Sequence, residues 1–219
     1  MTPPPPRIPA PRPVYGVEQT DQPELLARSK TGRNTGSVVD EIIASTEAYL
    51  ETHPCADPAR RGCIGASYGG FITMLLTTGT DMFAAAASHA SISSISSNRG
   101  EGKWGFAYSA ATTAKSYPLN RTGIYIDQSP LFAVDKLVTS ALLLHGAIDN
   151  NVPPGESEQM YTALRMLGKE VKYIRNDHEL HWILQYDRRK RWSESVVASF
   201  DKQLRNNAAW SGHPLPEDE

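Results

Sequence analysis

The chain has 219 residues with 22 Lys and Arg against 24 Asp and Glu, a formal charge of -2 at pH 7. That length gives room for one α/β domain with a real core and too little for two of ordinary size. The near-balanced charge supplies no single-sign field to draw nucleic acid or an anionic membrane, so the expected partner is a peptide or another small ligand. No apolar run reaches the roughly 18 residues that span a bilayer, and the N-terminus lacks the basic-then-apolar pattern of a secretory signal. The expectation is a soluble, unprocessed chain, cytoplasmic by default. Cys55 and Cys63 do not make a disulfide framework and read as free thiols.

Seven prolines crowd the first thirteen residues (Pro3, Pro4, Pro5, Pro6, Pro9, Pro11, Pro13). They remove backbone donors and favour an extended arm, so residues 1–34 read as a poorly ordered segment ahead of a folded domain at 35–205 and a polar tail at 206–219. Ser37 with Asp40 resembles a capping box, and Val38, Val39, Ile42, Ile43 and Leu50 form a stripe at helical spacing, predicting a helix to about Thr52. Arg61 to Gly65 reads as a short strand and Phe71 to Thr77 as a helix. Ala84 to His89, Ala141 to Leu144 and Val171 to Ile174 are continuous apolar runs of the kind that mark strands covered on both faces. Ser157 to Leu167 predicts a helix ending at Gly168, and Trp192, Val196, Val197, Phe200 and Leu204 stripe a final one. Alternating strands and helices argue for an α/β fold with a mostly parallel sheet and helices on both faces.

Gly65-Ala66-Ser67-Tyr68-Gly69 fits G-x-S-x-G between a predicted strand and a predicted helix. Such a turn raises the serine hydroxyl clear of the sheet, beside helix amides that favour a developing oxyanion, and side chains at the flanking glycines would strike the neighbouring strand and helix. A serine hydroxyl needs a base, and the base needs an orienting carboxylate. Asp149 follows the strand Leu142 to Leu144 and a glycine turn, at the carboxyl end where α/β sheets carry their ligands. His178 and His181 both follow the next strand. The order Ser67, Asp149, His181 is that of an α/β-hydrolase nucleophile, acid and base. His178 and His181 are three apart, whereas a helical zinc pair needs four, so no metal or other cofactor is expected. His53, His89, His145 and His213 read as structural or exposed.

At these residues the chain resembles the catalytic domain of the prolyl oligopeptidase family, over about Thr35 to Leu204. The resemblance rests on Gly62 to Phe71, Phe83 to Ala86, Gln128 to Leu131, Leu142 to Pro153, Pro154 to Ser157 and His181 to Leu184. It implies an α/β-hydrolase fold with the family's N-terminal strands missing or eroded, and a triad of Ser67, Asp149 and His181. It further implies that Tyr68 offers its backbone N–H to the oxyanion and its ring to the substrate, and that Asn151, with Val152, contacts the substrate. Tyr15 is the candidate for the tyrosine that supplies the second oxyanion donor in relatives. The rim carries Asn98, Arg99 and Lys103 where relatives have aromatics, and Trp182 stands where a second histidine is common. The implied activity is cleavage of peptide or small ester and amide bonds through an acyl-enzyme. A carboxylesterase and a catalytically impaired fragment are the alternatives.

Overall fold

The computed structural model describes residues 34–103, 118–119 and 122–205. Tyr15, the arm and the C-terminal tail lie outside the described residues. The first helix, α1, spans Asn34–Thr52, so it starts one turn before Ser37 and the predicted capping box falls inside it. Then come β1 (Gly62–Ala66), α2 (Tyr68–Gly79) and β2 (Ala85–His89). Two short helices, α3 (Ile95–Glu101) and α4 (Thr122–Asp127), and a 3-10 segment, Pro130–Lys136, lead to β3 (Ser140–Gly146). The chain closes with α5 (Gly155–Met166), β4 (Val171–Asn176) and α6 (Tyr186–Arg205). The short elements between β2 and β3 are too brief to show a period in sequence. Helix α5 starts two residues before the predicted Ser157, following Pro154, whose fixed φ suits a helix start.

All four strands are parallel, in the order β1-β2-β3-β4. Alternation along β3 divides the core between the two faces. Ala141 and Leu143 join Met74 of α2 and Met160 and Leu164 of α5 on one side. Leu142 and Leu144 join Val196, Trp192 and Phe200 of α6 on the other. Helix α1 lays Val38, Val39, Ile42 and Ile43 against a cluster built on Phe71, Ile72 and Leu76 of α2. This is the expected α/β sheet covered on both faces, and it is a partial α/β-hydrolase fold in which β1 and β4 are the outer strands among the described residues. Both cysteines are free, and burial pushes the Cys63 thiol up to about 12. Among the described residues no helix is long and apolar enough to cross a membrane.

The register brings the carboxyl ends of the strands, Ala66, His89, Gly146 and Asn176, to one edge of the sheet. Close approach of α2 to β1 and β2 there depends on two glycines. A Cβ on Gly65 would collide with the Gly69 carbonyl and come within 2.7 Å of Thr73 Oγ1, and one on Gly70 would lie 2.6 Å from Ser91 Cβ and 2.8 Å from the His89 carbonyl. Gly69, the second glycine of the motif, would meet nothing within 4 Å. The steric demand expected at both flanking positions therefore falls on Gly65 and Gly70, because Gly69 is turned away from the sheet on the first turn of α2.

A buried glutamate ties α5 to the segment that follows β2. Glu156 Oε2 accepts from Ser93 N and Ser94 N, both at 2.8 Å, and Oε1 accepts from Ser97 Oγ at 2.6 Å. Burial raises its pKa above the ordinary 4.5, against the lowering effect of the donors at Ser97, Ser94 and Ser93.

Gly65→Ala and Gly70→Ala should each destabilise the fold by about 1–3 kcal/mol through overpacking, whereas Gly69→Ala should be neutral or up to about 1 kcal/mol stabilising; urea midpoints check the ranking. A carboxyl whose folded pKa is raised contributes most when protonated, below its unfolded value, and that contribution is lost as pH rises through the folded value. Glu156→Gln keeps an acceptor for Ser93 and Ser94 without the charge. Its thermal midpoint should exceed wild type at pH 8, with the gap closing as pH falls toward about 4.5 and absent below that value. A gap that does not change with pH contradicts this account.

Candidate active site

Ser67 is the hinge between β1 and α2, at φ 56° and ψ -120°. Positive φ is costly for a residue with a Cβ, on the order of 1–3 kcal/mol, and persists only where the surroundings enforce it. Here the Ser67 N–H donates to the His89 carbonyl at 2.9 Å, and Phe71 N–H donates to the Ser67 carbonyl at 3.0 Å as the first bond of α2. The hydroxyl does not cap the helix, so it remains available for chemistry. Tyr68 occupies the first position of α2, where the amides point out of the helix start and favour negative charge.

Asp149 and His181 meet across the ends of β3 and β4. His181 Nδ1–H donates to Asp149 Oδ2 at 2.7 Å, and both side chains are buried. The opposite carboxylate oxygen accepts the backbone N–H of Asn151 at 2.8 Å and of Val152 at 3.2 Å. Burial works against the charge of Asp149. Hydrogen bonds from His145, His181 and the Asn151 N–H outweigh it and hold the carboxyl well below the usual carboxylate range. The loop carrying His181 can reach Asp149 because Gly146 has no side chain; a Cβ there would collide with the Leu180 and Glu179 carbonyls. Glu179 secures the far end of that loop by accepting from Leu184 N at 3.0 Å and Gln185 N at 3.1 Å.

Of the two histidines in that loop, the structure brings His181 to the carboxylate, while His178 is exposed at φ 61°. No hydrogen bond joins the Ser67 hydroxyl to His181 among the described residues, a looseness common before substrate binds. Tyr68 and Val152 belong to one apolar cluster with Phe71 and Ile95, and Asn151 adjoins it with a side-chain amide that makes no hydrogen bond among the described residues. On the rim, Arg99 Nη1 donates to the Tyr125 hydroxyl at 2.6 Å, Asn98 is buried, and the Trp182 ring stands edge-on to His181 at 5.2 Å. No group of side chains among the described residues could hold a metal ion.

Two further histidines belong to this site, although in sequence both read as structural or exposed. His145 Nε2 faces two acceptors, the Val152 carbonyl at 3.0 Å and Asp149 Oδ2 at 3.3 Å, so it carries the proton, and Nδ1 accepts from Ser157 Oγ at 2.7 Å. It is a second donor to the carboxylate. His89 Nε2 lies 3.0 Å from the His181 carbonyl oxygen. The signal for His145 was its place in the H-G-x-x-D block; His89 carried none, since its partner is 92 residues away.

Residues 24–207 match the profile of the Prolyl oligopeptidase family. The chain is 31% identical over 146 residues to the uncharacterized peptidase YuxL of Bacillus subtilis, covering 67% of this chain and 22% of that protein. It is 29% identical over 170 residues to dipeptidyl-peptidase 5 of Porphyromonas endodontalis, covering 76% and 24%. Among solved structures it is similar to the acylaminoacyl peptidase of Pyrococcus horikoshii, 27% identical with a TM-score of 0.70 over 76% of this chain and 28% of that one. A puromycin-hydrolyzing peptidase of Mycobacterium tuberculosis is 30% identical, with a TM-score of 0.71 over 76% and 25%. The chain spans about a quarter of the length of these relatives. With the strained serine, the buried Asp149–His181 pair and a profile match over most of its length, the chain belongs to the prolyl oligopeptidase family.

Proposed function

We propose that this chain is the catalytic part of a serine peptidase, with Ser67 as nucleophile, His181 as general base and acid, and Asp149 as the carboxylate that orients His181. The observation that carries the reading is the buried 2.7 Å hydrogen bond from His181 Nδ1 to Asp149 Oδ2, at the sheet edge where Ser67 is held at positive φ. That bond leaves Nε2 of His181 as the ring nitrogen that takes the Ser67 proton. The Ser67 oxygen then attacks the scissile carbonyl, and the oxyanion is met by the Tyr68 backbone N–H at the start of α2. Collapse of the adduct expels the amine, which receives the proton from His181, and leaves an acyl-enzyme; water, deprotonated by the same histidine, releases the acid. Tyr15 is the proposed second oxyanion donor. The Tyr68 ring and Val152 offer an apolar wall, and the Asn151 amide offers a donor for a substrate carbonyl.

The substrate class is supported by the relatives. An acylaminoacyl peptidase 28% identical to this chain, with a TM-score of 0.72, was solved with a Z-Gly-Gly-Phe chloromethyl ketone, and others are described as a dipeptidyl-peptidase and a puromycin-hydrolyzing peptidase. Peptide-like amides are therefore the proposed substrates, with activated esters as simpler ones.

Hydrolysis of p-nitrophenyl acetate by the purified chain tests this assignment. Ser67→Ala should lower the rate by about 10⁴- to 10⁶-fold, and His181→Ala should do nearly the same, because members of a triad act as a unit. His178→Ala should keep most of the activity, since its side chain is exposed and apart from Asp149. Wild-type turnover in Ser67→Ala, or loss in His178→Ala with retention in His181→Ala, would overturn the assignment. Tyr15→Phe should cost about 10²- to 10³-fold if its hydroxyl is the second oxyanion donor.

A further inference from the structure

His89 touches both halves of the site. Its main-chain carbonyl accepts the Ser67 N–H at 2.9 Å, and its side-chain Nε2 lies 3.0 Å from the main-chain carbonyl of His181. A carbonyl oxygen only accepts, so Nε2 carries the proton and donates. We propose that His89 is a positioning residue for the catalytic base, its Nε2–H fixing the His181 backbone at a set distance from the Ser67 elbow. The proposal rests on the assignment of Ser67 and His181 given above.

The remaining ties of the His181 loop pull elsewhere. Ile148 N–H bonds to the Glu179 carbonyl, Glu179 N–H to the Asn176 carbonyl, and the Glu179 carboxylate to Leu184 and Gln185. These hold the loop to the ends of β3 and β4 and to the start of α6. The bond to Asp149 orients the imidazole from the β3 side as well. Among the described residues His89 is the hydrogen-bonded tie from this loop toward β2, and so toward the strand pair that presents Ser67. Since Ser67 and His181 share no direct hydrogen bond among the described residues, their separation is set by backbone placement, and two hydrogen bonds link them through His89 alone.

Packing alone does not account for a histidine here. The ring is buried, stands edge-on to Trp192 at 5.9 Å between centroids, and its Nδ1 has no partner among the described residues. Burying an imidazole with one nitrogen unsatisfied costs free energy that a phenyl ring would not incur. What the histidine adds is the donor to His181. Burial also pushes its pKa down to about 4, so near neutral pH it is an uncharged donor that adds no positive charge beside the base.

The test compares His89→Gln, His89→Asn and His89→Phe in the full chain. The glutamine amide reaches the place of Nε2, the asparagine amide is one methylene short of it, and phenylalanine keeps the ring without a donor. The readouts are kcat and KM for p-nitrophenyl acetate, the rate of Ser67 labelling by a fluorophosphonate with Ser67→Ala as blank, and solvent exchange of the His181 Nδ1 proton by NMR. Glutamine should keep turnover near wild type. Asparagine and phenylalanine should lose about 10²-fold in kcat with KM little changed, as expected for a reacting group displaced by about 1 Å, and the His181 proton should exchange faster. Equal rates in the glutamine and asparagine variants at equal folded fraction would overturn the proposal. If phenylalanine prevents folding, that amide pair still decides. If wild type fails to label at Ser67, the catalytic assignment fails instead, and the exchange arm alone decides whether His89 holds the His181 loop: unchanged exchange in the asparagine variant refutes it.

Discussion

A buried carboxylate has to be met by donors on both oxygens, and Asp149 meets that demand by gathering the site around itself. One oxygen takes the backbone N–H groups of Asn151 and Val152, and the other takes the ring protons of His181 and His145. With that many donors the charge survives desolvation, and a charged Asp149 in turn fixes which nitrogen of His181 is protonated. The requirement reaches outward. His145 can donate to Asp149 because Ser157, at the start of α5, supplies the proton that its Nδ1 accepts. The neighbouring Glu156 binds the same helix to the segment leaving β2. Asp149 is thus held by α5 and by the turn after β3 together.

The parallel sheet provides the geometry that this carboxylate needs. Strands running the same way bring Ser67, His89, the Asp149 turn and the His181 loop to a common edge, although the chain segments are far apart. Two glycines make the approach close enough: Gly70 lets α2 press against the His89 carbonyl, and Gly146 lets the His181 loop cross the end of β3. The positive φ of Ser67 is tolerated because the residue is bonded through its N–H to β2 and through its carbonyl to α2. Strain at Ser67 and close packing beside it are therefore two aspects of one arrangement. The His89 bond extends it to His181.

Much of this was legible in the linear chain because it depends on local rules. Apolar runs of strand length, a glycine-flanked serine between strand and helix, and a carboxylate one turn beyond a buried strand each follow from backbone geometry within about ten residues. These signals located all four strands, and the order of Ser67, Asp149 and His181 pointed to the pairing of the last two that the fold displays. Their limits were local as well. Ser37 and Asp40 imitate a cap inside a helix that begins at Asn34, a turn earlier than the sequence indicates. The short helices between β2 and β3 gave no period to read.

What the sequence by itself determined was the alternation of strands and helices, the glycine-flanked serine turn between β1 and α2, and the chemical types available near it. Tertiary structure decided which of the adjacent glycines is sterically required, and that His145 and His89 belong to the site. Each of those outcomes depends on a contact between segments that are distant in sequence or turned to a different face of the fold. Gly70 faces the end of β2 while Gly69 is turned away from the sheet, and His89 is tied to a carbonyl 92 residues away. Residue type and spacing encode what a side chain can do, but the partner it does it with is fixed by how the strands stack, and that is set by burial of the whole apolar core rather than by any one stretch of chain.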